Sequence, residues 1–152
     1  YYPLLPFKYN KLTMNFQLHP RLKNDSIELG EFSLCKLLLI NDSQYPWFVL
    51  VPKKTDITET FQLLEEDQQL LQQESSILAE TLASLYKADK MNVAAIGNLV
   101  PQLHIHHVVR YKNDIAWPAP IWGKFDTVPY SSIQINKIKS QIIEALKDNL
   151  IH

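Results

Sequence analysis

Apolar and polar residues change their rhythm three times along this chain. Over residues 26–54 the pattern is strand-like. Ile27, Leu29 and the turn residue Gly30 lead into the apolar run at 32–40. The cluster Asn41-Asp42-Ser43-Gln44 then supplies a polar turn, because Asn and Asp bond their own backbone and tolerate tight dihedrals. Trp47-Phe48-Val49-Leu50-Val51 follows, until Pro52 removes a backbone donor. This half predicts an antiparallel meander with at least one well-buried strand.

The middle is helical. Asp56 or Thr58 is the expected cap, with Glu59 early in the first turn, where the helix dipole favours a carboxylate. Leu63, Leu64, Leu70, Leu71, Ile77, Leu78, Leu82 and Leu85 recur near 3.6-residue spacing as far as Tyr86. The acidic and amide residues between them, from Glu65 to Glu74, read as the solvated face of that helix. Strand character returns over 91–110. Val93-Ala94-Ala95-Ile96 and the segment 102–109 flank a connection at 97–101 that is too short for a parallel crossover, so a hairpin is expected. Residues 114–127 form a loop in which Pro118 and Pro120 stand between Trp117 and Trp122. A last amphipathic helix is expected over 131–150, with Ile135, Ile138, Ile142, Ile143 and Leu146 on its apolar stripe. The predicted class is α+β: about five antiparallel strands, one long central helix and a C-terminal helix.

Composition narrows the function. At 152 residues with 46% hydrophobic and 20% charged positions, the chain is long enough for one substantial core. Its net charge of -1 and the lack of any Lys/Arg cluster argue against a nucleic-acid partner held by bulk electrostatics. A small phosphate ligand needs only local donors and stays open. The single cysteine excludes an intrachain disulfide framework and a Cys-based zinc cluster. Within its apolar run Cys35 reads as a buried small hydrophobe, and a reducing, cytoplasmic home is expected. No apolar stretch approaches the ~20 residues of a membrane span, so no membrane partner is expected. Residues 1–13 lack a secretory h-region and cleavage site. They read as a poorly ordered extension ahead of Met14, with 14–152 as a single domain.

The chemistry concentrates in Gln102-Leu103-His104-Ile105-His106-His107-Val108-Val109-Arg110. Side chains on a strand alternate faces. Gln102, His104, His106 and Arg110 therefore share one face with Val108, while Leu103, Ile105, His107 and Val109 share the other, the core side. A lone strand histidine is usually structural. Two at i and i+2 on a polar face, flanked by Gln and Arg, point instead to an anionic ligand. Neutral imidazole can attack phosphorus while neighbouring donors stabilise the equatorial oxygens. The same spacing is also a metal-ligand spacing, but a third ligand is wanting: His19 and His152 are remote, and no Asp or Glu lies between Asp89 and Asp114. Trp117 and Trp122, held by prolines, read as a hydrophobic strap over the core, as a lid over a ligand's leaving group or as a strap onto a dimer partner.

This stretch resembles the histidine-triad (HIT) family of nucleotide hydrolases and transferases, whose motif is His-φ-His-φ-His-φ-φ with φ hydrophobic. Placed on residues 102–108, the motif matches at Leu103, His104, Ile105, His106 and Val108. It departs at Gln102, where the first histidine belongs, and at His107, where φ is expected. Val100-Pro101, Arg110 and the order of strands, helix and hairpin also look like family sequence. The resemblance spans residues 16 to about 112.

It implies that His104 is the nucleophile, that His106 contacts the phosphate under attack, and that Gln102 takes an orienting place. Asn98 resembles the family's phosphate-binding asparagine. A base pocket is implied among the N-terminal strands, with Phe32, Leu34 and Leu38 as candidates. Trp117 and Trp122 stand as further ligand contacts on their own chemistry, and His19-Pro20-Arg21 is expected at the surface, with charge placed near that pocket as the alternative. The implied reaction is attack on the α-phosphorus of a nucleoside phosphoramidate or dinucleoside polyphosphate through a covalent nucleotidyl-histidine. It would need no metal cofactor and would take place in a homodimer whose sheets join. A nucleotide-binding module with little or no turnover, and a His-ligated metal protein, are the alternatives.

Overall fold

A computed structural model describes residues 15–152; the expected extension, residues 1–13, lies outside the described residues. The elements are α1 (Pro20–Asp25), β1 (Ser26–Glu31), β2 (Cys35–Ile40), β3 (Trp47–Pro52), a 3-10 turn (Thr60–Gln62), α2 (Glu65–Tyr86), β4 (Lys90–Ala95), β5 (Ile105–Arg110) and α3 (Ser132–Ala145). The five strands form one antiparallel sheet in the order β1-β2-β3-β5-β4. The first three run as the expected meander. The last hairpin is laid down in reverse, so that β5 pairs with β3 inside the sheet and β4 is left at an edge.

The sheet sorts its side chains by parity. Leu29, Cys35, Leu37, Leu39, Phe48, Leu50, Ile105 and Val109 point to one face and make the main core with Leu71, Leu78 and Leu82 of α2 and with Ile142 and Leu146 around the end of α3. Leu78 and Leu82 are fully buried, each contributing roughly 1.5–3 kcal/mol of transfer free energy. The opposite face carries a smaller apolar floor of Leu22, Leu38, Ile40, Val49, Val51 and Val100. Burying both faces of β2 and β3 is why their sequences are continuously apolar rather than alternating.

Several boundaries differ from the sequence expectation. The central helix starts at Glu65, not near Thr58. Asp56 takes a left-handed conformation (φ 58°). Glu59 and Gln62 close a capping box around the separate 3-10 turn, and Leu63 and Leu64 are extended. Glu74, expected on the solvated face, is buried, and its carboxylate accepts the backbone N–H groups of Leu34 and Cys35 at 2.7 and 3.0 Å. It closes the β1–β2 turn from above, and desolvation and this carboxylate push the Cys35 thiol well above its ordinary pKa. The C-terminal helix ends at Ala145 rather than near residue 150. The chain then turns so that Leu150 packs beside Gly30 and Ile151 donates its N–H to the Glu31 carbonyl. Finally, β5 begins at Ile105, not at residue 102. Leu103 donates its N–H to the Ile57 carbonyl, outside the ladder, which leaves residues 102–104 as an irregular lead-in.

Candidate functional site

The face of the sheet opposite the two long helices opens into a cleft of about 760 Å³. His104 and His106 line it together, with their ring centroids 4.9 Å apart and nearly edge-on. His106 points there by strand parity, together with Trp47 and Val49. His104 reaches the same cleft from the irregular lead-in. Both are largely enclosed, 6% and 7% exposed.

Each ring is fixed by a different partner. His104 Nδ1 lies 2.6 Å from the backbone carbonyl of Gln102. A carbonyl only accepts, so the proton of the neutral ring sits on Nδ1 and Nε2 carries a lone pair. His106 Nδ1 lies 2.9 Å from the indole nitrogen of Trp47. Burial first, and then the neighbouring His104 and His107, hold the His106 pKa down to about 3, so this imidazole is neutral at physiological pH. Trp122 closes the remaining side of His106 with ring centroids 5.4 Å apart.

The wall beside His104 is the loop between β4 and β5. Gly97 makes its turn at φ +63°, a conformation that L side chains rarely adopt, and a Cβ there would stand 4.0 Å from His104 Cε1. Asn98 follows and lines the cleft, as do Ile96, Leu99 and Val100. The far end is built by α1, which contributes Arg21, Leu22, Asn24 and Asp25, with Ile40 and Asn41 from the end of β2. Arg21 and Asp25 form an exposed ion pair at 3.7 Å, a contact of little energetic weight. Phe125, Asp126 and Thr127 of the long loop close the rim.

The expected site residues thus divide. His104, His106, Asn98 and Trp122 meet in one cleft. The Gln102 side chain does not: its amide donates to the Gln17 carbonyl at 2.9 Å and accepts the His19 N–H at 2.8 Å, and only its backbone carbonyl serves His104. Phe32 and Leu34 belong to the core on the opposite face: they lie in the turn between β1 and β2, so the alternation that aims Leu38 and Ile40 at the cleft does not extend to them. Leu38 lies sealed in its floor. Trp117 stacks on the Arg110 guanidinium, 5.5 Å from its ring centroid, away from the histidines. Arg110 shares the sheet face of His106 but is 1% exposed, held bidentately by Asp114 at 2.8 and 3.1 Å and by Asn92 at 2.7 Å. The strap of residues 116–122 is therefore both structure and wall: Ala116 and Ile121 pack on Tyr45 and Val108, while Trp122 turns into the cleft. His107, as expected, leaves the site. Its Nδ1 contacts the Ile105 carbonyl and its Nε2 the Ser75 hydroxyl, and burial lowers its pKa to about 4.

Leu22, Asn24 and Asp25 of α1, Asn41, Trp47 and residues 125–127 were missed from sequence, while Arg21, expected at the surface, is exposed and also lines the cleft. One signal was present: Pro20 directly after a polar residue favours a helix start, and His19 does cap α1, accepting the Arg21 N–H at 3.1 Å. Among the described residues no group of three His, Cys, Asp or Glu side chains is placed to hold a metal ion.

A HIT domain family model matches residues 21–113, which contain both histidines and most of the cleft. Solved structures agree over nearly the whole chain. A histidine triad protein from Marinobacter aquaeolei VT8 is 50% identical, with a TM-score of 0.87 over 89% of this chain and 98% of that one. One from Bradyrhizobium japonicum is 39% identical (TM-score 0.83, covering 90% and 99%). One from Sinorhizobium meliloti 1021 is 38% identical (TM-score 0.84, covering 86% and 97%). No curated protein matches the chain.

Proposed function

The chain belongs to the HIT domain family, and from that premise we propose that it is a nucleotide hydrolase or nucleotidyl transferase with His104 as nucleophile. The observation that carries this reading is the Nδ1 contact of His104 with the Gln102 carbonyl. It leaves the Nε2 lone pair available in a cleft large enough for a nucleoside phosphate.

In the proposed reaction, His104 Nε2 attacks the α-phosphorus of a nucleoside phosphoramidate or dinucleoside polyphosphate. The bond from phosphorus to the leaving group breaks, and the leaving group takes the bonding pair. The phosphoramidate nitrogen takes up a solvent proton and leaves as ammonia, and attack of water on the adduct later returns that proton. Water then attacks the nucleotidyl-histidine, so that the nucleoside monophosphate departs and the imidazole is restored. His106 and Asn98 hold non-bridging oxygens, and Gln102 orients the nucleophile through its carbonyl. Leu22, Ile40 and the polar groups of α1 receive the nucleoside, and Trp122 stands over the leaving group. No step requires a metal.

The proposed assembly is a homodimer whose sheets join. Edge strand β4, with Val93 half exposed, supports it. A cytoplasmic location is proposed with it, supported by the single buried thiol of Cys35. No helix of the described residues is long and apolar enough to cross a membrane.

The test is hydrolysis of adenosine 5′-phosphoramidate and of a diadenosine polyphosphate by the native protein and by His104→Ala. Turnover that the substitution abolishes supports the reading. Nucleotide binding without turnover in either protein would make the chain a binding module instead.

A further inference from the structure

We propose that Trp47 is a positioning residue for this reaction, its indole N–H fixing the His106 imidazole in the tautomer that carries its proton on Nε2. The assignment of a role in catalysis rests on the reading given under Proposed function; the tautomer itself does not.

Strand register brings the pair together. Val49 of β3 stands opposite His106 of β5, and Trp47 stands opposite Val108. Trp47 and His106 are therefore diagonal neighbours on one face, a separation that aromatic side chains can span. The indole nitrogen ends 2.9 Å from His106 Nδ1. Indole N–H is a donor and has no lone pair to offer. Nδ1 must accept, and the single proton of the neutral ring is left on Nε2. A doubly protonated ring would set two N–H groups against each other at that distance. The ring has little freedom to turn away, since Trp122 and His104 bracket it at centroid distances of 5.4 and 4.9 Å.

The consequence is a division of labour between two imidazoles two positions apart. A carbonyl draws the proton of His104 to Nδ1, which presents a lone pair on Nε2. An indole fixes the proton of His106 on Nε2, which presents an N–H. One ring suits attack on phosphorus, and the other suits an oxygen gaining negative charge. If His106 held the opposite tautomer, a second lone pair would face the anion and repel it. The strand alone does not decide this, because an unpartnered histidine populates both tautomers; Trp47 does.

The direct test is the nitrogen chemical shifts of 15N-histidine-labelled protein at neutral pH, in the native chain and in Trp47→Phe. His106 is expected with a protonated Nε2 and an unprotonated Nδ1 in the native chain, and with averaged or exchanged shifts in the variant. In steady-state kinetics Trp47→Phe should lower kcat about tenfold with KM nearly unchanged, and Trp47→Gln, which restores an N–H, should recover part of the loss. Native protein with His106 protonated on Nδ1 overturns the proposal, even if the variant fails to fold. So does a Trp47→Phe protein with native His106 shifts and native kcat. If the native protein turns over no nucleotide, the catalytic role falls together with the proposed function, and the shifts still decide the tautomer.

Discussion

The side chain of Gln102 grips the chain entering α1: its Oε1 accepts the His19 N–H at 2.8 Å, and its Nε2 donates to the Gln17 carbonyl. A residue in the motif's first position has thus turned away from the cleft to hold the wall that faces the nucleophile, while its backbone still orients His104.

Gln102→Ala should therefore act more on binding than on chemistry. It removes two hydrogen bonds worth about 0.5–1.5 kcal/mol each and releases the segment before α1. The expected result is a several-fold rise in KM with kcat within about threefold of native. A collapse of kcat with KM unchanged would place the Gln102 amide in the chemistry instead.

Arg110 and Asp114 anchor the strap that carries Trp122. Burial raises the Asp114 carboxyl, but the hydrogen bonds from Arg110 and from the Tyr111 and Ala116 N–H groups outweigh it and hold its pKa below the usual range. Arg110→Met leaves that carboxylate buried and unpaired, so a loss of about 3–5 kcal/mol is expected in urea unfolding. Arg110→Lys, a point charge without the fork, should recover only part. A loss below about 1 kcal/mol for Arg110→Met would show that the pair does not hold the strap.

The two tryptophans of the strap should separate in function. Trp122→Ala opens the cleft beside His106 and is expected to weaken nucleotide binding several-fold. Trp117→Ala, which only uncovers Arg110, should leave binding near native and lower the unfolding midpoint. Calorimetric titration and thermal melts check both, and equal effects on binding would contradict the placement.

Buried neutral histidines make stability depend on pH. His106 and His107 have folded-state pKa values lowered to about 3 and about 4, chiefly by burial, against about 6.5 in an unfolded chain. The unfolded state binds more protons below pH 6.5, so stability is full above that value and falls as pH drops toward 3. Between pH 6.5 and 5, before ordinary carboxylates titrate, the two rings together should cost on the order of 3 kcal/mol. Urea unfolding at the two pH values measures this, and an unchanged midpoint would contradict the burial of both rings in neutral form.

Local patterning revealed most of the fold, because β2, β3 and α2 bury nearly everything they carry and say so in their composition. The helix start was illegible for a local reason: the capping box of Glu59 and Gln62 closes a separate 3-10 turn and imitates a helix N-terminus. Glu74 was unreadable because its partners are backbone N–H groups forty residues away in the chain. In the site, strand alternation placed His106 and His107 on opposite faces correctly, and the family motif singled out His104. The same alternation misled at Gln102, since β5 starts only at Ile105. Phe32 and Leu34, pointed to by the family resemblance, sit in the β1–β2 turn and pack into the core instead. Trp47 and the α1 wall depend on register and chain packing between distant segments, which no single stretch of sequence records.

The reaction turns on a bond between one His104 nitrogen and phosphorus, and mass spectrometry of quenched protein tests it most directly. Native protein mixed with adenosine 5′-phosphoramidate and stopped in alkali, which preserves phosphorus–nitrogen bonds, should carry one nucleotidyl group on the peptide containing His104. In His104→Ala the group should be absent, and in Gln102→Ala it should remain. Turnover without any such adduct, or an adduct that persists in His104→Ala, would contradict the account.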